Sequence, residues 1–61
     1  MNYLFKFKVV YKDKITQQEI FEYIDAKTSY FAHLEASKKV EVFNTGTPYH
    51  LWTIKSVRLA A

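Results

Sequence analysis

The strongest constraint on the fold is a strict alternation near the N-terminus. Residues 3–11 read YLFKFKVVY, with aromatic and β-branched side chains at every second position. A period of two residues is typical of an extended strand whose two faces meet different surroundings, and these residue types favour strands. One face is apolar throughout, whereas the other carries Lys6 and Lys8. The segment is predicted to be the central, half-buried strand of a sheet.

A second extended segment, residues 16–26, follows a short polar break and is predicted to return as an antiparallel hairpin. A two-residue loop would place a glutamate opposite an aromatic side chain. A three-residue loop instead pairs Phe7 with Phe21 and Lys6 with Glu22, which separates charged from aromatic side chains. Cross-strand pairs of these kinds each contribute roughly 0.2–1 kcal/mol. The three-residue loop is therefore the favoured interpretation.

A helix is predicted over residues 29–43, because Thr28 and Ser29 provide an N-cap before a segment of helical periodicity. Four of its apolar residues share a narrow arc and are predicted to form its packing face: Ala32, Ala36, Val40 and Phe43. The only Gly and the only Pro of the chain, Gly46 and Pro48, then end the helix. The small alanines allow the helix to lie close to a sheet.

The third strand is predicted over residues 49–59, where the alternation breaks between Ile54 and Val57. One extra residue near Lys55–Ser56 would explain this break as a β-bulge. The fold class is therefore α+β, of ββαβ topology, with a three-stranded antiparallel sheet in the order 2-1-3. One helix covers one face of it. The predicted core comprises Phe5, Phe7, Val9, Phe21, Ala32, Ala36 and Val40.

Length and composition limit the chain to one small domain, residues 1–61. It has 61 residues and no cysteine, so a core of apolar side chains must stabilise it without disulfides. No apolar run approaches the ~20 residues that span a bilayer, and the N-terminus does not resemble a signal peptide. The expected location is the cytoplasm, or the host cytoplasm for a viral protein, away from membranes.

No group of residues in the sequence has the pattern of a catalytic site. The two histidines, His33 and His50, lack a nucleophile and an orienting partner at recognisable spacing, and each is interpreted as a partly buried structural residue. No spacing of His and carboxylate residues suggests a metal site, and one glycine cannot form a phosphate-binding loop. The sequence therefore predicts no enzyme activity, cofactor or metal.

The surplus of aromatic residues favours a binding protein. Aromatic residues make up 18% of the chain, and one helix can cover only one face of the sheet, so large apolar side chains must remain exposed. A contiguous exposed patch of this kind marks an interface. The predicted protein-binding residues are Tyr30, Phe31, Leu34 and Trp52. The partner is unidentified, and pairing with a second copy would add core, so a homodimer is also expected.

Nucleic-acid binding is the alternative function. The formal charge is +3, and four cations are predicted to lie on the face of the sheet that carries Lys6. These candidate nucleic-acid-binding residues are Lys6, Lys8, Lys55 and Arg58. The favoured hairpin register places Glu19 and Glu22 beside them, which weakens the attraction for phosphate. The sequence therefore favours a protein partner, without measurable DNA or RNA binding at physiological salt.

Two stretches, EYIDAKTSYFAHLEASKKV and YHLWTIKSVRLA, carry a family resemblance. They combine an extended segment ending in Ala, a Ser/Thr cap, an Ala-rich helix and a final strand with an Ile-Lys-Ser-Val ending. This arrangement resembles very small phage-encoded proteins of unknown function. The resemblance implies an inhibitor of a host or defence protein that acts by stoichiometric binding.

Overall fold

The computed structural model describes residues 3–46 and 51–60. Its elements are β1 (Phe5–Asp13), β2 (Glu19–Ala26), α1 (Ser29–Asn44) and β3 (Trp52–Leu59). The strands form one sheet in the order β2-β1-β3, and both β2 and β3 run antiparallel to β1. The predicted ββαβ fold is confirmed. The predicted start of the third strand, residues 49 and 50, lies outside the described residues.

The predicted register of the β1–β2 hairpin is wrong. Phe7 lies opposite Ile24, and Val9 lies opposite Glu22. The last pair of the hairpin is Lys12 with Glu19, which leaves six residues between the paired positions rather than three, so β2 is displaced by three positions from the favoured pairing. An odd displacement reverses every side chain of a strand. Phe21 therefore lies on the face of the sheet away from α1, and Glu22 lies on the face that α1 covers.

The longer loop is wound around the carboxylate of Asp13, which is fully buried. Its Oδ1 accepts hydrogen bonds from the backbone N–H groups of Ile15 at 2.9 Å, Thr16 at 3.4 Å and Leu51 at 3.3 Å. Gln17 has a φ of 68°, and its N–H donates to the Asp13 carbonyl at 2.8 Å. One side chain thus determines the loop conformation and also fixes the chain just before β3.

Replacing Asp13 with Ala should strongly destabilise the protein. Each N–H left unsatisfied costs about 1–3 kcal/mol, so we expect a loss of about 2–4 kcal/mol in the free energy of unfolding, measured with urea. Asp13→Asn keeps an oxygen acceptor and should lose about half as much. Asp25→Ala is the control, because this aspartate is exposed. Equal stability of Asp13→Ala and Asp25→Ala would contradict the assigned role.

The predicted bulge in the third strand is confirmed. Val10 pairs with Ser56 and Tyr11 pairs with Ile54, which leaves Lys55 as the extra residue. The bulge changes the phase of the alternation, so apolar residues on both sides of it can face α1. Three of them pack against the core although they do not follow one period of two: Trp52, Ile54 and Val57.

The helix begins at Ser29 as predicted and ends at Asn44, one residue beyond the predicted end. The N-cap Thr28 accepts a hydrogen bond from the Phe31 N–H at 3.3 Å. At the other end, the Asn44 side chain accepts from the Trp52 N–H at 2.7 Å and donates to the Trp52 carbonyl at 3.1 Å. This double contact fixes α1 to β3, and α1 contacts β3 more extensively than β1 or β2. Within residues 3–46 and 51–60, no helix is long and apolar enough to cross a membrane.

The core lies between α1 and the sheet. Its buried apolar residues are Phe7, Val9, Tyr11, Ile24, Ala26, Ala32 and Ala36, and Val40 packs against them partly buried. The prediction that Phe5 and Phe21 belong to the core is wrong, since Phe5 is 50% exposed and Phe21 is 60% exposed. Phe5 lies at the end of the sheet opposite Ala26, and the register turns Phe21 outward. Tyr11 fills the centre instead, with its ring 5.3 Å from that of Phe43.

The buried and exposed phenylalanines should differ sharply in their contribution to stability. Phe7→Ala removes a side chain that is 6% exposed and should cost about 3–5 kcal/mol, a large part of the stability of so small a domain. Phe21→Ala is the matched control and should cost less than about 1 kcal/mol. Thermal unfolding followed by circular dichroism measures both. Similar melting of the two variants would contradict the assignment of faces.

Candidate binding surfaces

The four residues predicted to bind a protein do not form one surface. Tyr30, Phe31 and Leu34 are exposed on α1. Trp52 is half-buried instead, and its ring lies 5.9 Å from the Phe43 ring in the core. The structure therefore separates Trp52 from the three helix residues.

Phe31 and Leu34 line a groove between the helix and the outer strand of the hairpin. This β2–α1 groove has a volume of about 760 Å³ and is formed by Ile24 and Ala26 of β2 together with residues of α1. It is open because α1 lies closer to β3. Lys38 and Glu35, 3.6 Å apart, form an ion pair along it. The groove thus combines an apolar floor with a charged rim.

Tyr30 lies toward the β3 side of α1, although its ring contacts that of Phe31 with the centroids 5.6 Å apart. It borders a second depression of about 540 Å³ next to β3, together with His33.

The hydroxyl of Ser37 donates a hydrogen bond to the His33 carbonyl at 3.0 Å, so its proton is directed to the backbone rather than to the imidazole 3.5 Å away. His33 is exposed, contrary to its interpretation as partly buried, and His50 lies outside the described residues. In the part of the chain that the structure describes, no group of three His, Asp or Glu residues could hold a metal ion.

The face of the sheet opposite α1, here called the open face, brings together the candidate nucleic-acid-binding residues. Lys8 lies between Arg58 on β3 and Tyr23 on β2, so these three side chains form one row across the sheet. Lys6 precedes Lys8 on the same face of β1. Lys55, at the bulge, borders a shallow depression of about 290 Å³ with Lys8 and Arg58.

Glu22 is not part of the open face. On the helix side it accepts a hydrogen bond from the Tyr11 hydroxyl at 2.7 Å and forms an ion pair with Lys39. Burial of Tyr11, together with its bond to this carboxylate, raises the pKa of the phenol. One of the two glutamates expected beside the lysines is therefore neutralised on the other side of the sheet.

Glu19, the second glutamate, stays on the open face but is already paired. Its carboxylate lies 2.9 Å from the Lys55 ammonium, and it stands opposite Lys12 across the hairpin. The hydrogen bond from Lys55, with the charges of Lys55 and Lys12, lowers the pKa of Glu19. Lys55 is thus occupied by this pair, whereas Lys6, Lys8 and Arg58 have no carboxylate partner among the described ion pairs.

Two aromatic residues of the open face were missed at the sequence level. Phe21 and Tyr23 are 60% and 53% exposed, and their ring centroids are 5.9 Å apart at 81°. The Lys8 ammonium lies 4.5 Å from the Phe21 centroid, and the Lys6 ammonium lies 5.9 Å from that of Tyr23. Their exposure depends on the hairpin register, which the longer loop after Asp13 sets. An aspartate at the end of a strand favours a turn stabilised by its side chain, so Asp13 is the sequence signal that could have indicated this loop.

Removing the ammonium of Lys55 should raise the pKa of Glu19 toward its ordinary value. A carboxylate with a lowered pKa contributes stability at neutral pH that is lost as the pH falls. The Lys55→Ala variant should therefore show a weaker loss of stability in acid than the wild type. Carbon-detected NMR titration of the Glu19 carboxyl measures the shift directly. Lys6→Ala is the control, and an equal shift in that variant would contradict a specific pair.

Comparison with protein-family models, with curated proteins and with solved structures finds no match for the chain. The resemblance to small phage proteins stays a prediction from the sequence. The candidate surfaces are therefore interpreted from their own geometry and charge.

Proposed function

We propose that the protein is a non-catalytic binding module that holds an extended segment of a protein partner along β2. The observation that carries this proposal is the position of the β2–α1 groove beside the free edge of β2. β2 pairs with β1 on one side only, so the backbone groups of its other side can bind a further strand. Backbone hydrogen bonds would supply affinity, and the groove would supply selectivity.

The two edges of the sheet differ in their protection. β2 pairs with β1 through eight consecutive residues without a bulge, and its sequence EIFEYIDA contains no Gly, Pro or Lys. β3 carries a bulge at Lys55 and a second cation at Arg58. Bulges and exposed cations discourage the pairing of an edge strand. Although β2 carries the carboxylates of Glu19, Glu22 and Asp25, its unbroken edge is the better of the two for an added strand.

The side chains of an added strand would alternate between two surroundings. One set would enter the β2–α1 groove, where Phe31 and Leu34 are 51% and 40% exposed and can become anchors of an interface. The other set would lie beside Phe21 on the open face. A partner segment with apolar residues at every second position fits this arrangement. Tyr30 and Trp52 do not belong to this proposed site.

A second copy of the chain is the other candidate partner, because the sequence predicts a homodimer. Pairing of β2 with its own copy would place acidic residues near one another, because the strand carries Glu19, Glu22 and Asp25 and no Lys, Arg or His. The outer side of α1 is a better surface for self-association. It exposes Tyr30, Leu34 and Val42. Sedimentation velocity at high micromolar concentration measures whether the dimer forms.

The resemblance to phage-encoded proteins extends the proposal to a biological role. A small protein that occupies one segment of a host or defence protein can block it without catalysis, at one copy per target. The proposed role is therefore stoichiometric inhibition in the cytoplasm of the host. The groove and the free edge supply the means of binding in this proposal.

The test uses immobilised wild-type protein and two groove variants, Phe31→Ala and Leu34→Ala. We expect the wild type to retain one protein from an extract of its natural host, identified by mass spectrometry. Calorimetry with the purified partner should give one partner per chain. Each groove variant should bind about 30-fold more weakly or worse, as interface anchors do.

Leu59→Ala is the matched control, because this leucine is 61% exposed and lies at the other edge of the sheet. It should retain wild-type affinity. Loss of binding in Leu59→Ala to the same degree would contradict the groove. A dimer that dissociates in Leu34→Ala, with no other protein retained, would assign this surface to a second copy instead.

A further inference from the structure

The open face has two kinds of exposed side chain in close alternation. Its charged residues include five cations and two carboxylates within the described strands, namely Lys6, Lys8, Lys12, Lys55, Arg58, Glu19 and Asp25. The two exposed aromatic rings, Phe21 and Tyr23, lie on the edge strand β2, beside the lysines of β1 and between Glu19 and Asp25 of their own strand. A net positive surface with accessible rings is complementary to a polyanion that carries flat bases.

The geometry of the aromatic pair suits neighbouring bases. Phe21 and Tyr23 are two residues apart on one strand, so both rings project from the same face of β2. Each ring has an ammonium close to it, from Lys8 and Lys6 respectively. A base that stacks on such a ring would displace the ammonium from it. The flexible lysine stem would then allow the charge to reach the adjoining phosphate.

The register places Lys8 and Arg58 on one side of these rings, toward β3. Arg58, Lys8 and Tyr23 share one row, while Ser56, Val10 and Phe21 form the next. No carboxylate interrupts either row. Glu19 and its partner Lys55 lie toward one end of the face, and Asp25 lies opposite Lys6 at the other end.

We propose that the open face binds single-stranded nucleic acid. Two bases stack on Phe21 and Tyr23, and Lys6, Lys8 and Arg58 contact the phosphates. The β2–α1 groove lies on the other side of the sheet, and Phe21 of this site also borders the strand proposed to add to β2. Single strands are preferred to duplex because stacking on protein rings requires bases that are free of their neighbours. Within the described strands, the open face holds a shallow depression of about 290 Å³, so recognition is general rather than sequence-specific.

The experiment measures fluorescence anisotropy of labelled twelve-nucleotide oligomers of deoxythymidine and of uridine. At 50 mM salt we expect a Kd of the order of 10⁻⁵ M, which is typical of non-specific binding. Three phosphate contacts predict a log–log salt slope of about −2, so affinity falls about tenfold between 50 and 150 mM. A duplex of the same length should bind more weakly.

Variants separate stacking from charge. Phe21→Ala and Tyr23→Ala should each weaken binding about 5- to 150-fold with the salt slope unchanged. The double variant Lys6→Ala with Lys8→Ala should reduce the slope to about −0.7. The matched controls are Phe31→Ala and Tyr30→Ala, exposed aromatics of α1, and Lys27→Ala with Lys38→Ala. All three controls should bind nearly as the wild type does.

Three results would overturn the proposal. The first is the absence of binding to both oligomers up to about 100 µM protein at 50 mM salt, the weak limit of non-specific association. The second is an equal effect of Tyr30→Ala and Tyr23→Ala. The third is loss of a protein partner in Phe21→Ala and Tyr23→Ala without any nucleic-acid binding, which would assign the open face to protein. Circular dichroism of each variant confirms that it is folded.

Discussion

The arrangement of surfaces depends on the buried carboxylate of Asp13. Its hydrogen bonds fix a five-residue connection between the first two strands, and the length of that connection sets which side of β2 faces the helix. A loop shorter by an odd number of residues would exchange the two faces of β2. Phe21 and Tyr23 would then face α1, and Glu22 would stand among the lysines. The charge and the aromatic content of the open face both follow from one turn.

Much of the fold could be predicted from the sequence because it depends on strong periodic signals. The alternation of β1 identifies a central strand, and the interruption after Ile54 locates the bulge that the pairing of β3 shows. The helix boundaries follow from Thr28 and from the residues around Gly46. The hairpin register did not follow from such a signal, since the energies of competing cross-strand pairs are small and similar. A single buried loop interaction outweighed them.

The candidate surfaces were predictable only in part for the same reason. Exposure of Phe31 and Leu34 follows from helical periodicity, because they lie away from the arc of alanines. The grouping of Lys8 with Arg58 needs the order of the strands, which the sequence did indicate. The aromatic pair at Phe21 and Tyr23 needs the register and was therefore missed. The half-buried position of Trp52 depends on Asn44, whose side chain joins α1 to β3.

The bulge at Lys55 also limits how far sheets of this protein can grow. Continuous growth of a sheet from chain to chain requires two compatible edges on every molecule, because each added chain must offer a new edge to the next. Of the two edge strands in the described residues, β2 is uninterrupted, while β3 is irregular and bears cations. Once β2 has paired with another chain, the remaining edge is the bulged strand β3, which does not favour a further pairing. In a chain rich in strand-forming aromatic residues, the bulge at Lys55 thus works against the growth of the sheet from chain to chain.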